Sequence, residues 1–196
     1  MKICFSRKAF LWLLVVAISF PSLAGATTVA SRSEAQMVQH ATAIVRAKVI
    51  SVGARWHSDN IIVTDVVLEA LNVLKWTDSF KKKTRLFKMV LLGGTIDGKT
   101  LRVPGTSDYV PGEEVVVFLE TGAGDFVEQG VGSGKYSIER RGDTATISRS
   151  LTGVAMATVK GKKAVLGASA VDAGPEPLAT FESRINSYVN ALGGAQ

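Results

Sequence analysis

One stretch has the residue types and spacing of a known chemical device. Gly93-Gly94-Thr95-Ile96-Asp97-Gly98-Lys99-Thr100 satisfies G-x-x-x-x-G-K-T and follows an apolar run. That chemistry requires a helix to open at Lys99, so that free backbone N–H groups and the helix dipole meet the phosphates. Pro104-Gly105 arrives four residues after Thr100 and stops any such helix. Asp97-Gly98 reads instead as a hairpin turn between Met89–Leu92 and Thr100–Val103, and no nucleotide or other cofactor is expected.

Other candidates are weaker still. Arg141-Gly142-Asp143 is an RGD tripeptide, but Gly142-Asp143 also suits a turn between Ser137–Arg140 and Thr144–Ser148. His40 and His57 are the only histidines. His57 has Asp59 near it, from which a hydrolytic triad can be drawn; its place beside Trp56 predicts a solvated hairpin tip instead. Glu113 and Glu114 are adjacent, so on a strand they point to opposite faces and cannot work as a pair. Gly130-Val131-Gly132-Ser133-Gly134 misses the nucleophile-elbow pattern G-x-S-x-G at Val131, and reads as a flexible glycine-rich connection. No enzyme is predicted; a hydrolase using His57 is the alternative.

Lysines and aromatics interleave over Lys75–Lys88, with Lys75, Lys81, Lys82, Lys83, Arg85 and Lys88 beside Trp76, Phe80 and Phe87. Such a run binds polyanions, or simply solvates a strand edge and prevents its pairing. The predicted binding surface joins Arg55, Trp56 and His57 to Lys75, Trp76, Lys81, Lys82 and Lys83.

These residues need a frame, and the patterning supplies a mostly β one. Ser33 and Gln36 have the spacing of a capping box before a short helix, Glu34–His40. In Ile44–Val52, Val45, Ala47, Val49 and Ser51 alternate with the wetter set Ile44, Arg46, Lys48, Ile50 and Val52. Ile61–Leu74 returns as the second arm of a long hairpin, and Lys75–Lys83 reads as a polar linker. Leu86–Leu92 and Thr100–Val103 form the next predicted hairpin. Val115-Val116-Val117-Phe118-Leu119, after the Pro111-Gly112 turn, is the best candidate for a central strand. Short strands follow at Phe126–Gln129, Lys135–Arg140 and Thr144–Ser148, and more weakly in Ala155–Leu166. Leu178, Phe181, Ile185, Val189 and Leu192 then fall at helical spacing.

Of 196 residues, the first 26 have the three parts of a secretory signal: Lys2, Arg7 and Lys8, the apolar run Ala9–Phe20, and Ala24-Gly25-Ala26 at the cleavage site. Twelve apolar residues are short of the roughly 20 that an uncleaved membrane anchor needs. This leader holds three of the 23 Lys and Arg and none of the 17 Asp and Glu, so the rest of the chain carries +3. It also holds the only cysteine, Cys4, which excludes disulfides, thiolate nucleophiles and Cys-ligated zinc from a cleaved product. The predicted organisation is a signal peptide over 1–26, a β domain over 27–167, a linker over 168–177 and a helix over 178–194. The membrane enters only through the signal, and the product is periplasmic or secreted.

Ala43-Ile44-Val45-Arg46-Ala47-Lys48-Val49, the run Thr64–Lys75, Val110-Pro111-Gly112-Glu113-Glu114 with the apolar strand that follows, and Gly134-Lys135-Tyr136-Ser137-Ile138 together resemble a group of exported bacterial proteins of unknown function. Those look like relatives of the netrin-like and metalloproteinase-inhibitor class of OB barrels. The resemblance covers Ser33–Arg141 and implies an OB-like antiparallel barrel with a short N-terminal and a C-terminal amphipathic helix, a β-sandwich being the alternative. In the inhibitors an N-terminal Cys chelates the target's zinc; the cleaved chain has no cysteine, so that role does not carry over. The expected function is a non-catalytic exported binding protein whose partner is a protein or an anionic envelope polymer, not a nucleic acid. A structural envelope module docking through the C-terminal helix is a further alternative.

Overall fold

The structure is a computed structural model that describes residues 28–30, 32–58, 60–77, 85–122, 124–130, 132–150, 155–160, 163–166 and 173–193. The predicted signal segment and Lys81, Lys82 and Lys83 lie outside the described residues. In chain order the elements are β1 (Thr28–Ala30), α1 (Glu34–His40), β2 (Ala43–Ser58), β3 (Ile61–Trp76), β4 (Leu86–Leu92), β5 (Gly94–Ile96) and β6 (Lys99–Leu101). After these come β7 (Glu114–Gly122), β8 (Asp125–Glu128), β9 (Lys135–Arg141), β10 (Thr144–Arg149), β11 (Ala155–Lys160), β12 (Lys163–Leu166), β13 (Ala173–Pro177) and α2 (Leu178–Gly193). Among the described residues the protein is mainly β with two helices.

Eight strands make one sheet in the order β13-β10-β9-β7-β2-β3-β4-β8, and β8 pairs back onto β7. The five strands β7, β2, β3, β4 and β8 therefore form a partial ring. β2 and β3 carry most of it, with fourteen registered pairs. The seam between β4 and β8 is a single parallel pair, Met89 with Phe126, which makes the sheet mixed rather than wholly antiparallel. Side chains reinforce this seam: Phe87 meets Phe126 edge-on at 6.3 Å and Lys88 lies 3.8 Å from Asp125.

Register shifts in the β2–β3 ladder bend it, since each extra residue adds local twist and kinks its strand. One shift falls between Val49 and Ser51, where Val49 turns its N–H to Glu113 and its carbonyl to the Gly112 N–H. This overturns part of the alternation expected from the sequence. Past the bulge Ile50 and Ser51 are exposed, and Val52 packs on the interior.

Two cores result. Inside the ring lie Val45, Ala47, Val49, Val66, Leu68, Phe87, Met89, Leu91, Val115, Val117 and Leu119. Outside it, α1 and α2 cover Ile44, Val116, Phe118, Tyr136, Ile138 and Ile147 with Met37, Val38, Leu178, Phe181 and Ile185. β7 is buried on both faces, the physical reason for its unbroken apolar run. Arg184 fastens the cover by pairing with Glu34 of α1 and Glu176 of β13, each at 2.6 Å.

Two further expectations are corrected. Ala173–Pro177, predicted as linker, forms β13 and pairs with β10 at the sheet's edge, a position that tolerates proline. The predicted hairpin between Leu86–Leu92 and Thr100–Val103 does not form: β4 pairs with β3, while β5 and β6 make a separate two-stranded sheet.

Candidate functional site

The two described helices cover the outer face of the partial ring around one end of the β2–β3 ladder, and neither reaches the other, open end. At the open end Val52, Val66 and Leu91 form the floor of a cleft of about 580 Å³, walled by the β5–β6 hairpin and by residues 102–109. Clefts of this size are common places for ligand sites.

The hairpin wall is fixed in place. Gly93 donates its N–H to the Ile62 carbonyl at 2.9 Å, and its own carbonyl accepts from Thr64 Oγ1 at 2.7 Å. Gly94 sits at φ +140°, and a Cβ there would meet Thr64 Oγ1 at 2.6 Å and Ala54 Cβ at 3.1 Å, so glycine is required for the approach. Asp97 and Gly98 both take positive φ, 52° and 71°, as a two-residue hairpin turn demands. The segment that matched a phosphate loop is thus strand, turn and strand, and Lys99 opens β6 rather than a helix.

The second wall is pinned from below. Thr106 N–H bonds to the Val103 carbonyl at 3.2 Å, closing a β-turn through Pro104-Gly105. Buried Glu128 then accepts from Ser107 Oγ and Tyr109 Oη, both at 2.8 Å. Lys135 Nζ donates to the Asp108 carbonyl at 2.6 Å, pairs with Glu113 at 2.7 Å and lies 4.6 Å from the Tyr109 ring centre. Burial raises the pKa of Glu128 above the ordinary carboxylic range, against hydrogen bonds from Tyr109 and Ser107 that favour the anion. Burial first, and then the neighbouring Glu128 carboxylate, push the Tyr109 phenol well up, so it remains a donor. Both Glu128 oxygens are engaged by the loop, which makes this residue a latch for the wall.

The described residues of the glycine-rich connection are correspondingly well packed. Gly132, Ser133 and Gly134 are buried, Ser133 Oγ donates to the Gly130 carbonyl at 2.5 Å, and a Cβ on Gly132 would collide with the Gly105 carbonyl.

The residues predicted to bind separate into two places. Arg55 pairs with Asp65 at 2.8 Å on the ring's outer surface, and Asp65 also faces Lys88 at 3.7 Å. Trp56 donates its indole N–H to Asp97 at 3.2 Å, with Lys99 Nζ 5.5 Å from its ring. His57 is the extra residue of a register shift between Trp56 and Ser58, which turns it outward, exposed, beside Trp56, Ser58, Asp97 and Lys99. Lys75 and Trp76 belong to β3 rather than to a linker, and pair with Ile44 and Ala43 at its far end. That is roughly 40 Å of strand away from Trp56.

Lys75 has a structural task there. Its Nζ donates to the carbonyls of Val38, Gln39 and Ala41 at 2.6, 3.1 and 2.7 Å, satisfying orphan groups at the C-terminus of α1. Partial burial lowers its pKa. Trp76 packs against the inner core. Arg85 pairs with Glu69 at 2.6 Å. The RGD tripeptide is exposed at the β9–β10 turn, as its Gly-Asp pair predicts.

Sequence reasoning missed Thr64, Arg102, Ser107, Asp108 and Glu128. The usable signal was Pro104-Gly105 flanked by Arg102 and Asp108, a turn with a charge on either side. Comparison of the chain with family models, curated proteins and solved structures finds no match.

Proposed function

We propose that this chain is a non-catalytic binding protein of the exported fraction, built on an OB-like barrel, that takes its partner at the open end of the ring. The observation that carries the reading is the cleft itself. Its volume of about 580 Å³ falls in the usual range for ligand sites, roughly 300–1,000 Å³. It has an apolar floor and a rim of hydroxyls, and both walls are held before any partner arrives, which lowers the ordering cost of binding.

The ring of five strands with β9, β10 and β13 added to its side supports the OB-like part, because such barrels bind through one face and its neighbouring loops. Of the two expected partners, an anionic polymer has the less support among the described residues. Among the described cations of the basic run, Lys75 caps a helix, while Arg85 and Lys88 sit in ion pairs. Catalysis by His57 has little support: the carboxylate beside it, Asp97, accepts from Trp56, and among the described residues none hydrogen-bonds the imidazole to orient it. The apolar face of α2 is no more available, since Phe181 and Ile185 are fully buried on the chain's own sheet.

The test is affinity capture from envelope and culture fractions on immobilised wild-type protein and on a Thr100→Trp variant that fills the cleft, analysed by mass spectrometry in low and high salt. A species held by the wild type in both salts and lost by the variant supports the reading. Equal retention by both proteins contradicts it.

A further inference from the structure

Resting on the proposed binding role of the cleft, its chemistry points to one class of occupant. Two charged side chains line it, Arg102 and Asp108, and they have opposite sign. Both are exposed, and among the described residues neither forms an ion pair with the other or with any neighbour. Nearby charges are differently placed: Lys135, which holds the Asp108 carbonyl, is paired with Glu113, and Glu128 is bound by two hydroxyls.

The two residues flank the turn closed by Thr106 on Val103. A turn holds its first and fourth Cα atoms within about 7 Å, and three more residue steps keep Arg102 and Asp108 within roughly 18 Å. The Asp108 backbone is pinned by Lys135, and its neighbours Ser107 and Tyr109 by Glu128. The backbone at the anionic end of the cleft is therefore preorganised.

An occupant that reaches both side chains takes water from each charge. A neutral molecule leaves both without compensation, and a singly charged one leaves one of them opposite a like charge or none. Only a ligand with both charges offsets both losses.

We propose that the cleft binds the free zwitterion of a short peptide. Its α-carboxylate lies at the Arg102 guanidinium, whose fork of donors matches a carboxylate. Its α-ammonium lies at Asp108, and an apolar side chain rests on Val52, Val66 and Leu91. Peptides of about two to four residues, roughly 7–14 Å when extended, fall within that bound.

The test is amide NMR titration and calorimetry of the whole protein at low ionic strength with four probes: leucyl-leucine, its N-acetyl form, its C-terminal amide, and N-acetyl-leucinamide. Leucyl-leucine is expected to shift amides around the cleft, at Thr64, Leu91 to Leu101 and Ser107. Blocking either terminus is expected to weaken binding about tenfold, the scale of one charged hydrogen bond. Arg102→Gln should abolish the preference for free acid over amide and retain the preference for free amine; Asp108→Asn should do the reverse. Equal binding of all four probes at the cleft would overturn the zwitterion while leaving the cleft a binding site. Failure of every probe to shift the cleft amides would also overturn it, and the capture experiment then judges the binding role separately. Unchanged discrimination in both variants would overturn the assignment of the two charges.

Discussion

The two ends of β3 show opposite uses of the same strand. At its C-terminal end Leu74 is buried under the helices, Lys75 ties off the carbonyls of α1, and Asn72 donates to Glu182 of α2 at 3.4 Å. At its N-terminal end Thr64 anchors the hairpin wall and Val66 forms the cleft floor, with neither of the described helices over them. Polar groups at the covered end answer polar groups of the same chain. At the open end two charges do not. What separates structure from function here is thus not residue type, since both ends carry basic and aromatic residues, but whether each group's partner is already inside the molecule.

The comparison can be broken most severely at the covered end. Phe181 is fully buried, its ring tilted against that of Tyr136 at 4.8 Å, so Phe181→Ala leaves a cavity between α2 and the sheet. The expected loss is about 3–5 kcal/mol in chemical denaturation. Cleft amides of the folded fraction should keep their chemical shifts. Lys75→Met keeps the apolar stem but strips three carbonyls of their donor, for an expected loss of about 2 kcal/mol. A loss near zero would mean that Lys75 is a surface cation after all.

At the open end the effects on stability are smaller and those on binding larger. Gly94→Ala forces a Cβ onto Thr64 and an unfavourable φ, costing about 1–2 kcal/mol. The hairpin should be displaced with it, and retention of the captured partner lost. The smallest effect is one of pH. Because the folded-state pKa of Glu128 is raised, folding favours its protonated form. That stabilisation is complete below the unfolded carboxyl value of about 4.3 and is lost as pH rises through the folded value. Glu128→Gln mimics the protonated state, so its stability relative to wild type should climb with pH over that window. A pH-independent difference would show that Glu128 does not titrate as its burial requires.

Local signals in the sequence were read well where the determining partner is close in the chain. Ser33 and Gln36 do form a reciprocal capping box on Glu34–His40, β4 spans Leu86–Leu92, and Asp97-Gly98 turns a hairpin. β7 is central, as Val115 to Leu119 implied. Misreadings arose where a distant partner decides. Ser51 was expected inside because alternation cannot reveal a bulge that depends on Gly112 and Glu113. Ala173–Pro177 has no strand-like pattern, and β10 recruits it through the backbone alone. Lys75 looked like part of a polyanion surface until α1 supplied three carbonyls to it. The cleft was invisible for the same reason: Thr64, Leu91, Arg102 and Asp108 come to line one cleft only once the sheet has curled.

The most direct measurement uses the scarcity of thiols in this chain. With Cys4 changed to Ser, a single cysteine is placed at Thr100 on the cleft rim or, as a control, at Ile50 on the exposed outer surface, and alkylation rates are followed with and without the captured partner. The account predicts that the partner slows modification at Thr100→Cys and leaves Ile50→Cys unchanged. Protection of Ile50→Cys with free reaction at Thr100→Cys would contradict it and move the binding surface to the outside of the ring.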